Sequence, residues 1–301
     1  MLLTTGKTYM NASVSFKRVH EWIELIKLEH TVFALPFALS GFVLASKDHI
    51  RLDSFAWTIV AFTGARTAAM ALNRVIDAEI DKANPRTKNR AIPKGMIKKR
   101  NAIILAVLSF TLMLGAASQL PVLCLELSPV AVIWLSLYSY SKRITPLCHF
   151  ALGIALGGAA LGGWLAAGGS LDNPSVWFLA MAVTFWVTGF DIIYACQDYD
   201  FDKQKNLHSL PSDFGINKAL QISRCLHIVT VLALVIAGTY GALGVVYYLG
   251  VILIAGALFY EQTLISAEDL SKVNAAFFNI NGFVSILAFI TILIDHMHCF
   301  G

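Results

Sequence analysis

Apolar runs free of acidic and basic residues follow one another along the chain: Thr31 to Ser46, Ser54 to Ala65, Asn101 to Leu125, Leu127 to Ser141, Ile144 to Leu171, Asn173 to Phe190, Cys225 to Tyr260 and Val273 to Ile294. About 20 apolar residues in a helix cross a hydrocarbon layer of ~30 Å, so the longest runs hold more than one crossing. Breakers divide them, Gln119-Leu120-Pro121 in one and Gly238-Thr239-Tyr240-Gly241 in another. The pattern predicts nine helices, at about 18–46, 54–83, 100–118, 122–141, 145–167, 174–202, 217–238, 242–262 and 272–295. Residues 1 to 30 lack the apolar core of a cleaved signal, so the first run is read as a span.

Composition agrees with this reading. Of 301 residues 57% are apolar and 14% charged, against about a quarter charged in soluble domains. The expected architecture is all-α and polytopic, one domain over 1–301 embedded in the lipid bilayer. Disorder, collagen and coiled coil are excluded. A net charge of +4 gives no support for nucleic-acid binding. Five scattered cysteines without CxxC spacing define neither a zinc site nor a disulfide framework.

Basic residues set the expected orientation. Lys82 to Arg100 holds eight Lys+Arg and no acid; Lys142 and Arg143 follow helix four, and Lys203, Lys205 and Lys218 follow helix six. This places the N-terminus and the loops after helices two, four, six and eight in the cytoplasm, with the C-terminus outside. Loops 82–100 and 199–217 adjoin the chemistry described next.

Two stretches break the apolar pattern alike: Asn73-Arg-Val-Ile-Asp77-Ala-Glu-Ile-Asp81 at the end of helix two, and Asp191-Ile-Ile-Tyr194-Ala-Cys-Gln-Asp198-Tyr-Asp-Phe-Asp202 at the end of helix six. Spacings of four and seven return to one helical face. Asn73, Asp77 and Asp81 thus share a stripe with Arg66, and Asp191, Asp198 and Asp202 share another. The repeat, four helices apart, suggests two similar four-helix halves plus a ninth helix. An acid at the centre of a span costs ~2.5 to 3.5 kcal/mol, less near the interface, and converging acids repel, so a cation belongs between them. Oxygen-only donors favour a hard ion such as Mg²⁺. Bases next to metal-binding acids read as a site for a diphosphate, and a lipid diphosphate suits a head group at the mouth with a tail among the helices.

The first motif resembles the NxxxDxxxD signature of the UbiA superfamily of intramembrane prenyltransferases, and Arg86-Thr-Lys-Asn-Arg90-Ala-Ile-Pro-Lys-Gly95 is similar to the RTxNRPxPxG run that follows it there. The second resembles that family's DxxYAxxDxxxD, completed here by Lys203 and Ser209. Tyr138-Ser-Tyr140-Ser-Lys142-Arg143-Ile-Thr145-Pro146 resembles its YxxxKRxT element, and Lys27-Leu-Glu29-His30-Thr31-Val-Phe-Ala-Leu-Pro36 resembles the start of the 4-hydroxybenzoate polyprenyltransferase branch. Arg74 stands where many members carry an acid, and Ala91 where proline is usual.

The resemblance implies Mg²⁺-dependent transfer of a polyprenyl chain from its diphosphate to an aromatic acid such as 4-hydroxybenzoate. The reaction would serve ubiquinone or menaquinone synthesis in a bacterial inner membrane, with the site facing the cytoplasm. Metal ligands would be Asn73, Asp77, Asp81, Asp198 and Asp202. The diphosphate would meet Arg86, Arg90, Lys142, Lys203 and Tyr194, and the acceptor Arg66, Arg143 and Asp191. Asp77 and Asp198 would be catalytic through the metal and Asp191 as a general base toward the phenol. Two other readings stand beside this one: a haem O or chlorophyll synthase-like transferase, and an ion-coupled transporter. Glu261, Glu268 and Asp269 are expected in a cytoplasmic loop, and Asp295-His296-Met-His298-Cys299 resembles a metal tract without a matching cluster. Asn11-Ala-Ser13 fits a glycosylation pattern on the cytoplasmic side, where it would not be used.

Overall fold

The computed structural model describes residues 21–46 and 50–299. Asn11, Ser13 and Lys47, and the side chains of Glu29, His30, His298 and Cys299, lie outside what it describes. The described residues form helices and turns without a strand. The main helices are α1 (Leu28–Ala45), α2 (Leu52–Ile76), α3 (Lys99–Ala117), α4 (Val122–Leu137), α5 (Cys148–Ala166), α6 (Pro174–Ala195), α7 (Ile216–Tyr240), α8 (Val245–Thr263) and α9 (Asn281–Cys299). Among the described residues eight helical stretches, which include α2 to α8 and most of α9, are long and apolar enough to cross a membrane; the apolar stretch of α1 is shorter, Ala34–Ala45. The chain is an integral membrane protein.

Polar residues at the helix ends explain where several begin. Asn173 caps α6 by accepting from Ser175 N at 2.9 Å, and Pro174 follows at the first helical position. Helix α8 starts after Gly244, which has no side chain to cap it. Asp295 of α9 substitutes: its buried Oδ2 accepts from Gly244 N and Tyr247 N, each at 2.9 Å. The supposed metal tract therefore contributes a capping carboxylate at a positive helix end. Replacing Asp295 with Ala is expected to remove about 1–2 kcal/mol of stability, read as a lower thermal midpoint in detergent, and Asp295→Asn to restore part of it.

The most extensive contacts are α6 on α7, α2 on α3 and α5 on α6, while α1 crosses α5 between the halves. Within lipid, helices associate through close contact of small residues rather than escape from water. A Cβ on Gly41 would strike Ala160 O, one on Gly163 would strike Ala38 O, and one on Gly157 would strike the Thr184 hydroxyl. Gly158 and Gly162, alternating with these, face open space. The core centres on α6, where Trp186 stacks near Phe37 and Phe190 with ring centroids 4.9 Å apart in both pairs.

Three expectations need correction. The second helix does not run unbroken to 83, because α2 stops at Ile76 and a short helix, Ala78–Ala83, follows. The sixth is likewise interrupted, by a tight 3₁₀ turn at Cys196–Asp198 before Tyr199–Gln204. Glu261 is no loop acid: it sits fully buried in the last turn of α8, accepting from Asn281 Nδ2 at 3.0 Å, while Asn281 Oδ1 accepts from Trp186 Nε1 at 2.8 Å. Burial without a partner would cost several kcal/mol, and the Asn281 amide removes part of that penalty.

Candidate active site

Both interruptions fall on the acids. Asp77 leaves helical geometry at φ −88°, ψ 4°, yet Asp77 N still bonds Asn73 O at 2.9 Å and Asp81 N bonds Asp77 O at 2.7 Å, so the four-residue spacing survives. Asp198, at φ −100°, ψ 7°, likewise precedes its short helix. Irregular backbone at membrane depth is tolerated where it lines a polar cavity, and these segments do so.

The two ladders meet. The loop after the first motif reaches the second: Asn84 Nδ2 donates to Asp198 Oδ1 at 2.9 Å, and Arg86 forks both oxygens of Asp198 through Nε and Nη2. Arg86 Nη1 also donates to Tyr194 OH at 2.8 Å. Besides Asp198, three acids of the ladders have a cation: Arg143 for Asp77 at 3.0 Å, Arg90 for Asp81 at 2.6 Å and Lys142 for Asp202 at 2.8 Å. Asn73 Nδ2 donates to Asp77 Oδ2 and to Ser139 Oγ. Burial pushes the Asp77 carboxyl above the usual carboxylate range, against the pull of Arg143. For Arg86, burial disfavours the charge, but the bonds to Asp198 and Tyr194 more than offset it and raise its pKa.

A polar cavity of about 290 Å³ gathers Asn73, Asp77, Asp81, Asp191 and Asp198 with Arg66, Arg74, Arg86, Arg90 and Lys142, and with Tyr138 and Tyr194. A second cavity, of about 440 Å³, is bounded by Ala61, Phe62 and Ala65 of α2, Leu135 of α4, and Ala155, Gly158 and Gly162 of α5. Arg66, Tyr138, Leu152 and Leu156 border both. Arg66 carries a buried Nε with no hydrogen-bond partner at this junction.

Three predicted residues are not brought to the cavity wall. Lys203 is exposed, its Nζ over the Tyr199 ring at 5.4 Å. Asp202 is fully buried behind the wall with Lys142. Arg143 is occupied with Asp77 and the carbonyls of Ser139 and Ile76. Others join unforeseen. Buried Arg74 stands 4.0 Å from Asp81 Oδ2, a position that its seven-residue spacing from Asp81 could have signalled. Asn84 and His149 carry no comparable spacing signal.

The donor set suits a hard divalent ion. It consists of carboxylate and amide oxygens, and the buried Asp81 Oδ2 accepts no hydrogen bond. Among the described residues no three His, Cys, Asp or Glu side chains cluster closely enough to enclose an ion. Mg²⁺ uses one or two carboxylates and completes its shell with water and phosphate.

A helical membrane protein with an acid-and-base chamber beside an apolar one has the build of a lipid-modifying enzyme. Residues 34–285 match the UbiA prenyltransferase family, and the chain belongs to it. It is 31% identical over 277 residues to a 4-hydroxybenzoate octaprenyltransferase of Vibrio campbellii, covering 90% of this chain and 92% of that one. A Yersinia pseudotuberculosis protein of the same description is 33% identical over 237 residues, 77% and 79% of the two chains. Among solved structures, a UbiA homolog from Aeropyrum pernix K1 superposes with TM-score 0.81 at 33% identity, over 89% of this chain and 98% of that one. A UbiA homolog from Archaeoglobus fulgidus bound to DMAPP and Mg²⁺ shares the fold, with TM-score 0.64 at 18% identity over 88% and 99%. The protein is therefore a membrane-embedded prenyltransferase, and the transporter reading falls.

Proposed function

We propose that the protein transfers a polyprenyl chain from polyprenyl diphosphate to an aromatic acid such as 4-hydroxybenzoate, with Mg²⁺, in ubiquinone or menaquinone synthesis. The carrying observation is the adjacency of the two cavities, which share Arg66, Tyr138, Leu152 and Leu156 in their walls: the polar one matches a diphosphate and the apolar one a hydrocarbon tail. The names of the relatives in Vibrio and Yersinia support the acceptor class. The basic loops 82–100 and 199–217 support a cytoplasmic mouth in a bacterial inner membrane, with the N-terminus inside and the C-terminus outside.

Asn73, Asp77 and Asp81 on one side and Asp198 on the other would hold Mg²⁺, which when bound neutralises the leaving diphosphate; Asp202, behind the wall, holds Lys142. Arg86, Arg90 and Lys142 stand at the same wall to donate to phosphate oxygens. The allylic C–O bond breaks with its electron pair on the diphosphate. The rings of Tyr194, with the Arg86 guanidinium 4.9 Å above it, and Phe277, their centroids 4.6 Å apart, line the wall beside the allylic cation. Arg66, buried at the junction, pairs with the acceptor's carboxylate. Asp191 takes the phenol proton as the ortho carbon bonds to the cation; the ring proton then passes to an oxygen of the departing diphosphate and Asp191 returns its proton to the phenolate, restoring the aromatic ring.

Purified protein incubated with Mg²⁺, a panel of prenyl diphosphates and a panel of aromatic acids is expected to yield the prenylated acid by mass spectrometry, with no product after chelation. Hydrolysis of the diphosphate without an adduct would refute the proposal.

A further inference from the structure

His149 belongs to none of the motifs, yet it touches the proposed base. It lies in the first turn of α5 with 3% of its side chain exposed, and its Nδ1 is 2.7 Å from Asp191 Oδ2. On the other edge of the ring, Nε2 faces Leu210 N at 3.3 Å. A backbone N–H can only donate, so Nε2 is the accepting nitrogen, and in the neutral ring the proton resides on Nδ1, directed at Asp191. Both nitrogens are thus committed, and His149 cannot itself take a proton from substrate.

The loop supplying that N–H is firmly held. Ser209 and Ser212 close a capping box at the start of Leu210–Phe214. Leu207 N bonds Asp202 O at 2.9 Å, and His208 N bonds Lys142 O at 2.8 Å. One segment therefore anchors to the acid and base of the diphosphate side and, two residues on, sets the tautomer of the ring that holds Asp191. Asp191 keeps a quarter of its side chain exposed and lines the polar cavity.

We propose that His149 is a positioning residue for acceptor activation: its Nδ1–H fixes the Asp191 carboxylate as an oriented hydrogen-bond acceptor for the acceptor's phenol. The inference rests on the acceptor chemistry proposed above. Misplacement of a reacting group by about 1 Å can cost ~10²-fold in rate.

The test compares wild type, His149→Leu, His149→Asn and His149→Gln in the prenyl-transfer assay with 4-hydroxybenzoate and with ring-fluorinated analogues of more acidic phenol. His149→Leu is expected to lower kcat by about 10²-fold and leave the prenyl diphosphate KM unchanged, with a smaller loss for the fluorinated acceptors. The Asn amide can occupy the Nδ1 position and the Gln amide the Nε2 position, so His149→Asn should exceed His149→Gln in kcat. Unchanged kcat in His149→Leu overturns the inference, as does a loss independent of phenol acidity. If His149→Leu fails to fold, the Asn and Gln pair decides, equal rates overturning the inference. A wild type that makes no prenylated aromatic acid instead overturns the acceptor assignment itself.

Discussion

Asp77→Asn and Asp198→Asn are each expected to lower prenyl transfer by ~10²- to 10³-fold, the range seen when a major electrostatic contributor to the transition state is removed. Each substitution keeps the shape of the side chain and deletes the charge that a bound cation requires. The consequences for the protein itself differ. Asp77 bonds Asn73 and Arg143 at a partly exposed position, and an amide at 77 can still accept from Arg143. Asp198 is buried under the fork of Arg86 and the amide of Asn84. Its truncation to Ala strands the Arg86 guanidinium, and breaking a buried pair costs about 3–5 kcal/mol. Asp198→Ala should therefore lose abundance as well as activity, whereas Asp77→Ala should lose activity at normal abundance. Product mass spectrometry, normalised to protein in isolated membranes, separates the two. Activity retained in either Asn variant removes that acid from the catalytic centre.

Gly162→Phe is expected to shift the donor preference toward shorter prenyl chains. Gly162 lines the apolar cavity, and a Cβ built on it meets nothing within 4 Å. Its side chain would project into the space assigned to the tail. A donor already dissolved in lipid gains little transfer energy on entering, so selection among lengths is steric. Forcing extra volume into a filled space costs about 1–3 kcal/mol, or about five- to 150-fold in kcat/KM for the longest donors, with short donors nearly unaffected. Gly163→Phe serves as the contrast: its Cβ would strike Ala38 O on α1, so that variant should fail to accumulate. Equal loss across all donor lengths in Gly162→Phe would place the tail elsewhere.

Much of this architecture was readable from residue order because lipid imposes simple rules. Spans had to be apolar, and acids spaced by four could be recognised as exceptions. The convergence of the ladders followed from their placement on equivalent helices of two halves. Helix breaks at Asp77 and at Cys196–Asp198 were not foreseeable, since no glycine or proline marks them and local turn geometry depends on the opposing loop. The roles of Arg143 and Lys203 were overextended, because a basic residue near a motif can face an acid or an aromatic ring as readily as a substrate. His149 and Asp191 lie 42 positions apart, and only the packing of α5 against α6 brings them together. Glu261 was hidden for the same reason: its partner Asn281, itself held by Trp186, belongs to another helix.

The side-by-side chambers have a consequence for traffic between phases. On the proposed function, an aromatic acid would reach the mouth as a freely diffusing anion and leave attached to a hydrocarbon whose every methylene favours the membrane by about 0.8 kcal/mol. Because the apolar compartment lies among α2, α4 and α5, neither the prenyl donor nor a prenylated product would have to cross water. Prenylation of a soluble acceptor would thereby double as an act of capture, committing it to the leaflet.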